Sequence, residues 1–267
     1  MLNPSDFAAI QQIVRQRSGI ELDEAQVYLA ETRLQPVLRQ RGLASIAELV
    51  RRARGNDLAS RALEAQLVDA LTTNETSFFR DKVPFQVLER VVFPGLEGRT
   101  GIRIWSAACS TGQEAYSIAL VLAERFPSLA RSVQILGTDI SPTVVERARA
   151  GCFSQNEVSR GLPPGTLNRH FRQDGTCWRL VPTVRRMVRF DVGNLLDPMP
   201  LGAFDVIFLR NVLIYFSPST RDGILRRVRK VMRPGGWLFV GGSEVSAPPA
   251  DVFQRETHLG VHAFRPR

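Results

Sequence analysis

Apolar residues in the first seventy positions recur at the spacing of an α-helix. Phe7, Ile10 and Val14 form one stripe, and Leu63 and Leu67 form part of another further along the chain. Residues three, four or seven positions apart lie on one face of a helix, so each stripe predicts a helix that buries that face. The pattern therefore predicts a small all-α domain over residues 1–72.

The pattern changes from about Gly101 onward. Short apolar runs rich in β-branched and aromatic residues then alternate with stretches of helical periodicity, and the runs are IRIW, VQILGTD, FDVIFLRN and WLFVGG. Strands that alternate with helices are typical of a parallel sheet covered by helices on both faces. We therefore expect an α/β domain over residues 73–267, with a doubly wound, mostly parallel sheet and its ligand site at the carboxyl ends of the strands.

One segment of this second domain breaks the alternation. Residues 165–192 contain short β-like runs around Asp174-Gly175, a dipeptide that favours a hairpin turn, and they are dense in arginine. The segment predicts a small antiparallel β-subdomain inserted into the larger fold.

The charge of the chain points to an acidic partner. The net charge is +9, and arginine carries almost all of the positive charge because Lys82 and Lys230 are the only lysines. A basic surface attracts nucleic acid, anionic lipid or a glutamate-rich protein, and the charge alone does not choose among these three.

The cysteines and the hydropathy exclude several classes of protein. The chain begins without a basic, apolar leader and has no apolar run long enough to cross a bilayer, so we expect a soluble, cytoplasmic protein without membrane insertion. Cys109, Cys152 and Cys177 form no CxxC pair and have no histidine at metal-binding spacing. We therefore expect three free thiols and no metal site.

The loop after the first predicted strand suits close approach of a ligand. The residues SAACSTGQEAY place small side chains between a strand and a helix, where the free N–H groups of the helix N-terminus point outward. Gly112 is the only glycine in this loop, so the dinucleotide-binding pattern GxGxxG is absent. Taken alone, the loop is equally consistent with an ordinary tight turn of an α/β fold.

Polar residues follow the other predicted strands. Asp139 ends the second strand, where a carboxylate commonly accepts hydrogen bonds from both ribose hydroxyls, although it could instead cap the next helix. Asn194 with Leu195, and Arg210 with Asn211, lie in loops predicted at the same edge. A late PGG turn that feeds a final strand pair completes a set typical of nucleoside-binding methyltransferases.

With these motifs in view, the chain resembles the CheR family of chemotaxis receptor glutamate O-methyltransferases along nearly its whole length. The residues that carry the resemblance are TTNETSFFRD, IWSAACSTGQEAYSIA, GTDIS, FDVIFLRNVLIYF and PGGWLFVGGSE. The resemblance implies a helical N-terminal domain and an S-adenosylmethionine-binding domain with a small β-subdomain. It also implies methyl transfer from S-adenosylmethionine to glutamate γ-carboxylates of bacterial receptors, with S-adenosylhomocysteine as the product.

The resemblance also implies which residues form the site. The family's cofactor-binding positions fall on Asn74, Thr76, Arg80, Glu114, Asp139, Asn194, Leu195, Arg210 and Asn211. Arg80 and Tyr215 are the implied catalytic residues, with Arg80 holding the incoming carboxylate. Phe78 and Phe79 are expected to bury their rings and so fix the backbone beside Arg80.

The implied partner is the cytoplasmic helical domain of a methyl-accepting receptor. Arg33, Arg39 and Arg41 of the predicted second helix would bind it, although a solvated arginine face explains these residues equally well. In some family members the β-subdomain also binds a tether peptide at the receptor C-terminus. We expect the protein to act as a monomer.

Two other functions are consistent with part of the sequence. A nucleic-acid methyltransferase would fit the basic charge, but the [DN]PP[YF] loop common in such enzymes is replaced by RNVLIYF, and the arginines lack interleaved aromatic residues. A binding module that has lost turnover is disfavoured because Arg80, Glu114, Asp139 and Tyr215 are all present.

Overall fold

A computed structural model of the protein describes residues 2–267 and divides them between two units. The first unit contains the residues up to Thr73 together with Tyr215–Thr220, and the second contains Asn74–Ile214 and Arg221–Arg267. The first unit thus includes a segment far outside the helical domain that was predicted for residues 1–72. No sequence pattern signals that Tyr215–Thr220 packs with residues from the start of the chain.

The first unit is built on four helices whose apolar stripes face one another. They are α1 (Pro4–Ser18), α2 (Val27–Arg41), α3 (Ile46–Ala53) and α4 (Leu58–Leu71). The Asn3 side chain caps α1 by accepting a hydrogen bond from the Asp6 backbone N–H at 2.7 Å, and Gly19 ends it in the left-handed conformation. Leu34, Leu49 and Leu67 are fully buried between the helices. This unit confirms the all-α character that the apolar stripes predict.

The second unit contains eight further α-helices and ten strands. The helices are α5 (Val83–Val87), α6 (Gln113–Arg125), α7 (Pro127–Ala130), α8 (Pro142–Ala150), α9 (Gln155–Ser159), α10 (Thr166–His170), α11 (Pro182–Arg185) and α12 (Pro218–Lys230), of which α12 begins within the first unit. The strands are β1 (Ile102–Ala107), β2 (Val133–Asp139), β3 (Cys152–Phe153), β4 (Phe171–Asp174), β5 (Cys177–Leu180), β6 (Val188–Val192), β7 (Phe204–Leu209), β8 (Met232–Val240), β9 (Phe253–His258) and β10 (Val261–Pro266).

Seven of these strands form one sheet in the order β6-β2-β1-β7-β8-β10-β9. The first five in this order pair in parallel, whereas β10 runs antiparallel to β8 and β9 antiparallel to β10. The strand order reverses at β1, whose neighbours are β2 and β7, which is the topological switch point where ligands bind in open α/β sheets. The predicted doubly wound, mostly parallel sheet is confirmed.

The strand register brings the predicted site residues to one edge of the sheet. Ala107 at the end of β1 lies opposite Thr138 of β2 and Leu209 of β7. Asp139 and Arg210 each follow one of these partners, so both emerge at the carboxyl edge beside the loop that leaves β1. The tertiary fold therefore brings together polar residues that are far apart in the sequence.

A buried acid stabilises the opposite edge of the same sheet. All six residues of β7 are buried, as expected for a central strand covered on both faces. Asp205 is the single charged residue among them, and it accepts hydrogen bonds from the Arg103 backbone N–H at 2.9 Å and from the Arg99 guanidinium at 2.8 Å. This carboxylate therefore fastens the amino end of β7 to β1 and to the segment that precedes β1.

The small antiparallel subdomain exists, but its bounds differ from the predicted 165–192. Its three strands pair in the order β3-β5-β4 and span residues 152–180, with the predicted hairpin turn after Asp174. Val188–Val192 instead pairs in parallel with β2 and belongs to the large sheet. A two-residue strand such as β3 has no periodic pattern of its own, and the apolar run of β6 does not reveal which sheet it joins.

The prediction of three free thiols is wrong for two of the cysteines. Cys152 of β3 and Cys177 of β5 form a disulfide, with their Cα atoms 5.7 Å apart across a sequence separation of 25 residues. The adjacent antiparallel strands β3 and β5 bring the two side chains together. Cys109 remains a free, buried thiol.

Candidate functional site

The loop after β1 has a backbone shaped for close packing. Ala108, Ser110 and Gly112 all have positive φ values, at 56°, 50° and 93°. A Cβ added at Gly112 would lie 3.0 Å from both Ala148 and Phe190, so the turn into α6 has no room for a larger residue. The Cys109 backbone N–H donates to the Thr138 carbonyl at 2.9 Å, which ties the loop to β2. The small side chains of this loop therefore serve the fold as well as access for a ligand.

Asp139 joins two loops at this edge. Its side chain is 6% exposed, Oδ2 accepts the Ser110 backbone N–H at 2.8 Å, and Oδ1 accepts the Ser141 backbone N–H at 3.0 Å. Both oxygens of this carboxylate therefore accept backbone donors, one from the loop after β1 and one from the loop after β2. The alternative role, capping α8, belongs to Ser141, which accepts the Val144 backbone N–H at 3.2 Å.

The segment Asn74–Asp81 is fixed along this edge and is no free linker. The Ser110 hydroxyl donates to the Asn74 carbonyl at 2.8 Å, and the Phe79 backbone N–H donates to the Ser117 hydroxyl at 2.9 Å. The Arg80 guanidinium donates back to the Glu75 carbonyl at 3.0 Å, which closes the segment on itself. These bonds hold the segment that contains Asn74, Thr76 and Arg80 beside the β1 loop and the start of α6.

The two adjacent phenylalanines of this segment have different surroundings. Phe78 is fully buried and packs edge-on against Phe153 and Phe171 of the small subdomain, at ring centroid distances of 4.9 and 5.7 Å. Phe79 is only half-buried, at a φ of 50°, and its ring lies 5.2 Å from that of Phe85. The prediction that both rings are buried therefore holds fully for Phe78 alone.

Arg210 is the centre of a buried polar network. Its side chain is 1% exposed, and it donates to the Glu114 carboxylate at 3.0 Å, to the Asp81 carboxylate at 2.6 Å and to the Arg80 carbonyl at 3.1 Å. Two carboxylates and a carbonyl thus surround one guanidinium, whose planar shape suits several simultaneous acceptors. The network attaches the segment Asn74–Asp81 to the carboxyl end of β7.

Glu114 is held on both of its oxygens within this network. Oε2 accepts from Arg210, and Oε1 accepts the Ser106 hydroxyl at 2.7 Å. Burial raises the pKa of the Glu114 carboxyl above its ordinary value, while the Arg210 guanidinium and the Ser106 hydroxyl bond limit that rise.

Cys109 cannot act as a nucleophile at this edge. Burial raises the pKa of its thiol well above the ordinary value, and the negative charges of Asp139 and Glu114 raise it further. The thiolate is the reactive form of cysteine, so this thiol stays protonated and inert near neutral pH.

Asn194 and Leu195 lie at a pocket of the same unit. They line a pocket of about 340 Å³ together with Trp105, Thr138 and residues of the loop that precedes β7. The Asn194 side-chain oxygen accepts the Leu196 backbone N–H at 3.0 Å, which fixes the turn. Leu195 is buried, and its carbonyl accepts from the Arg227 guanidinium at 2.6 Å.

Tyr215 and the three predicted receptor-binding arginines lie in the helical unit. The Tyr215 carbonyl accepts the Glu21 backbone N–H at 2.9 Å. Arg33 is half-buried, and its guanidinium donates to the Thr72 carbonyl at 2.9 Å, which caps the C-terminus of α4. Arg39 and Arg41 are exposed, and Arg41 donates to Gln66 at 2.7 Å. Arg33 therefore differs from the other two because its guanidinium serves the fold.

Sequence reasoning missed three residues that shape the site. Ser110 donates to the Asn74 carbonyl, and the Asp81 carboxylate accepts from Arg210. These two contacts attach the segment Asn74–Asp81 at its two ends. Glu244 accepts backbone N–H groups from Gly241, Asn211 and Ile214, at 2.7, 2.8 and 3.2 Å. Glu244 ends the motif GGSE, but no pattern in the neighbouring sequence predicts that its side chain binds the loop that contains Asn211 and Ile214.

Residues 2–267 contain neither a metal-ligand cluster nor a helix suited to span a membrane. No group of three or more histidine, cysteine or acidic side chains is arranged to hold a metal ion in this part of the chain. Among the same residues, none of the helices has both the length and the hydropathy required to span a bilayer.

Two families of known sequences match the two parts of the chain. Residues 5–72 match a family described as the all-alpha domain of CheR methyltransferases. Residues 74–258 match a family described as the SAM-binding domain of CheR methyltransferases. Together the two matches cover most of the chain.

Curated relatives are similar over almost their entire length. Chemotaxis protein methyltransferase 1 of Pseudomonas aeruginosa is 40% identical over 259 residues, which covers 94% of this chain and 93% of that protein. Chemotaxis protein methyltransferase Cher2 of Pseudomonas putida is 39% identical, with 93% of each chain covered. A chemotaxis protein methyltransferase of Vibrio parahaemolyticus is 38% identical, with 95% of this chain and 94% of that protein covered.

Proposed function

Because the chain belongs to the CheR methyltransferase family, we propose that it transfers a methyl group from S-adenosylmethionine to glutamate γ-carboxylates of chemotaxis receptors. The products would be a glutamate methyl ester and S-adenosylhomocysteine. The proposal assigns receptor binding to the helical domain, residues 1–72, and cofactor binding to residues 73–267. The observation that carries it is a carboxyl edge with a fixed acid, a small-residue loop and a buried arginine network.

The residues of this edge fit the cofactor. When bound, S-adenosylmethionine supplies a methyl group that is already activated for transfer. Asp139 is a buried acid at the carboxyl end of β2, where it would accept from hydroxyl groups, and the loop from Ala108 to Gly112 offers little side-chain bulk. Asn194, Leu195 and Asn211 would complete the walls, while Glu114 and Arg210 would hold the segment Asn74–Asp81 in place.

The glutamate that accepts the methyl group must be aligned with it but needs no base to remove a proton. A glutamate γ-carboxylate is ionised at neutral pH, so it attacks without losing a proton to a general base. A cationic group beside the carboxylate would hold it in line, and we assign that role to Arg80, a half-buried residue whose guanidinium keeps donors beyond its bond to Glu75. Tyr215 is the proposed second contact to the acceptor.

Asp139→Asn is expected to weaken binding of S-adenosylmethionine about tenfold or more. An amide keeps the shape but loses the charge, and it must turn its NH₂ group toward a backbone N–H of Ser110 or Ser141. A hydrogen bond to a charged group contributes about 1.5–3 kcal/mol, which corresponds to that change in affinity. Isothermal titration calorimetry measures the effect, and a variant that folds normally and binds the cofactor with unchanged affinity would remove Asp139 from the site.

The proposed receptor surface lies on the basic face of the helical unit. Arg39 is exposed, and Arg41 lines a groove of about 530 Å³ with Arg51 and Arg52 of α3. Acidic helices carrying the substrate glutamates would complement these charges. The proposal also includes Arg33, which is half-buried and donates to the Thr72 carbonyl. A receptor tether peptide, where one exists, would pair with the small antiparallel sheet, in which β4 is an edge strand.

The proposed function is tested by the stability of the transferred methyl group to base. The protein is incubated with methyl-labelled S-adenosylmethionine and a receptor signalling fragment, and we expect label that alkali releases as methanol. A receptor fragment with glutamine at the methylated positions should take up no label. Label that survives alkali would contradict carboxylate methylation, and cofactor binding without any transfer would favour a module that has lost turnover.

The same assay tests the basic receptor surface. Exposed charges are screened over about 10 Å at 0.1 M salt, so raising the ionic strength should raise the apparent KM for the receptor fragment more than that for the cofactor. Equal responses of the two constants would indicate that the arginine face is merely solvated.

A further inference from the structure

Glu244 is a buried acid that binds two loops at the carboxyl edge of the sheet. Its side chain is 2% exposed in the short helical turn Gly242–Glu244 that follows β8. Oε2 accepts the backbone N–H groups of Gly241 at 2.7 Å and Asn211 at 2.8 Å, and Oε1 accepts that of Ile214 at 3.2 Å. The carboxylate therefore ties the end of β8 to the loop that follows β7.

The loop that Glu244 holds contains a residue in the left-handed region. Asn211 has a φ of 59°, a conformation that residues with a side chain seldom adopt and that asparagine tolerates better than most. Its backbone N–H is one of the three donors to Glu244. The Glu244 carboxylate thus stabilises the backbone conformation of Asn211, and that conformation sets the direction of the Asn211 side chain.

Gly241 leaves the space in which the Glu244 carboxylate contacts the backbone of Asn211. A Cβ added there would lie 2.6 Å from Oε2 of Glu244 and 3.0 Å from the backbone nitrogen of Asn211. The φ of Gly241 is −65°, which any residue adopts, so this glycine is required for space and not for its backbone conformation. The close approach of the two loops therefore depends on Gly241 and Glu244 together.

We propose that Glu244 is a positioning residue for cofactor binding, acting through Asn211. The inference rests on the proposed assignment of Asn211 to the cofactor site. Glu244 itself accepts only backbone donors and has no part in the methyl transfer. Its effect is to hold the loop from Arg210 to Ile214 in the single conformation that presents Asn211 at the carboxyl edge.

Glutamine is the informative replacement because it preserves size and shape. The carboxylate accepts on both oxygens, whereas an amide has one acceptor and one NH₂ group. Whichever way the amide turns, its NH₂ group faces at least one backbone N–H of Asn211 or Ile214. The loop must then move away from one contact.

We expect Glu244→Gln to raise the dissociation constant for S-adenosylmethionine about tenfold, measured by calorimetry on the purified full chain. Asp205→Asn is the matched control, because Asp205 is also 2% exposed and accepts a backbone N–H but lies at the opposite edge of the sheet. Both variants should melt at a lower temperature, and only Glu244→Gln should bind the cofactor more weakly. Unchanged affinity of Glu244→Gln, or equal losses in the two variants, would overturn the proposal.

A double-mutant cycle tests the route through Asn211. If Glu244 acts by positioning that side chain, the loss caused by Glu244→Gln should largely disappear in an Asn211→Ala background. Additive losses would overturn the proposal, as would a loss in Glu244→Gln when Asn211→Ala alone has no effect. The latter result would also remove Asn211 from the cofactor site, whereas Asp139→Asn tests that site independently.

Gly241→Ala provides a second variant should Glu244→Gln fail to fold. The added methyl group would lie 2.6 Å from Oε2 of Glu244 and 2.9 Å from Nδ2 of Asn211, so it displaces both side chains of this contact without changing any charge. We expect it to weaken cofactor binding in the same direction, and normal affinity in a folded Gly241→Ala protein would overturn the proposal.

Discussion

Replacing Arg210 by methionine is expected to lower the free energy of unfolding of the unit Asn74–Ile214 and Arg221–Arg267 by about 3–5 kcal/mol. The guanidinium is 1% exposed, and its removal leaves the Glu114 carboxylate, itself 13% exposed, without its charged partner. A buried charge without a partner costs far more than the pair contributes, because water no longer solvates it. The segment Asn74–Asp81 also loses two of its attachments to β7.

Urea unfolding followed by tryptophan fluorescence measures this loss. Trp105, Trp178 and Trp237 are the three tryptophans of the chain, and all of them lie in this unit. Arg226→Met is the matched control, since Arg226 pairs with Asp222 and Asp251 while remaining 46% exposed, and there we expect little change. Similar midpoints for the two variants would show that the Arg210 network does not stabilise the fold.

Replacing Arg80 by alanine is expected to lower the rate of methyl transfer about a hundredfold, which corresponds to about 3 kcal/mol in the barrier. The reason is the proposed clamp on the incoming carboxylate by the Arg80 guanidinium, whose residue is half-buried. Arg80→Lys should recover only part of the rate, because an ammonium keeps the charge and loses the planar pair of donors. Single-turnover transfer at saturating cofactor measures the effect.

A structural role for Arg80 makes a different prediction. Its one bond to the Glu75 carbonyl fastens the segment Asn74–Asp81, and losing only that bond would reduce activity in proportion to unfolded protein. Arg160→Ala is the control, because it removes the ion pair between Arg160 and Glu75 at 2.8 Å while leaving Arg80 in place. Normal transfer per folded molecule of Arg80→Ala would exclude Arg80 from catalysis and leave Tyr215 as the candidate.

Much of the fold follows from patterns contained in short stretches of sequence. Helical periodicity predicts the all-α character of the first unit, and alternating apolar runs predict the doubly wound sheet. Once the sheet is parallel, the ends of β1, β2 and β7 must share an edge, so Asp139 and Arg210 could be placed together from sequence alone. Motifs at these strand ends were also sufficient to indicate the family.

The same local patterns could not predict which distant residues meet. The disulfide joins cysteines 25 residues apart because β3 and β5 happen to be neighbours, and β6 joins the large sheet through its partner β2. The sequence of a strand does not show which other strand it pairs with. The prediction of three free thiols and the predicted bounds of the subdomain were wrong for this reason.

The sequence by itself determined the two kinds of fold and the strand ends at which a site can form, because hydrophobic periodicity is a property of neighbouring residues. Only the tertiary structure decided how that site is held. Arg210 bonds to Glu114 and Asp81 across 96 and 129 residues, and Glu244 reaches back 33 residues to Asn211. A buried charge needs partners, but sequence spacing does not name them, since they are brought together only when the sheet and its loops close around them.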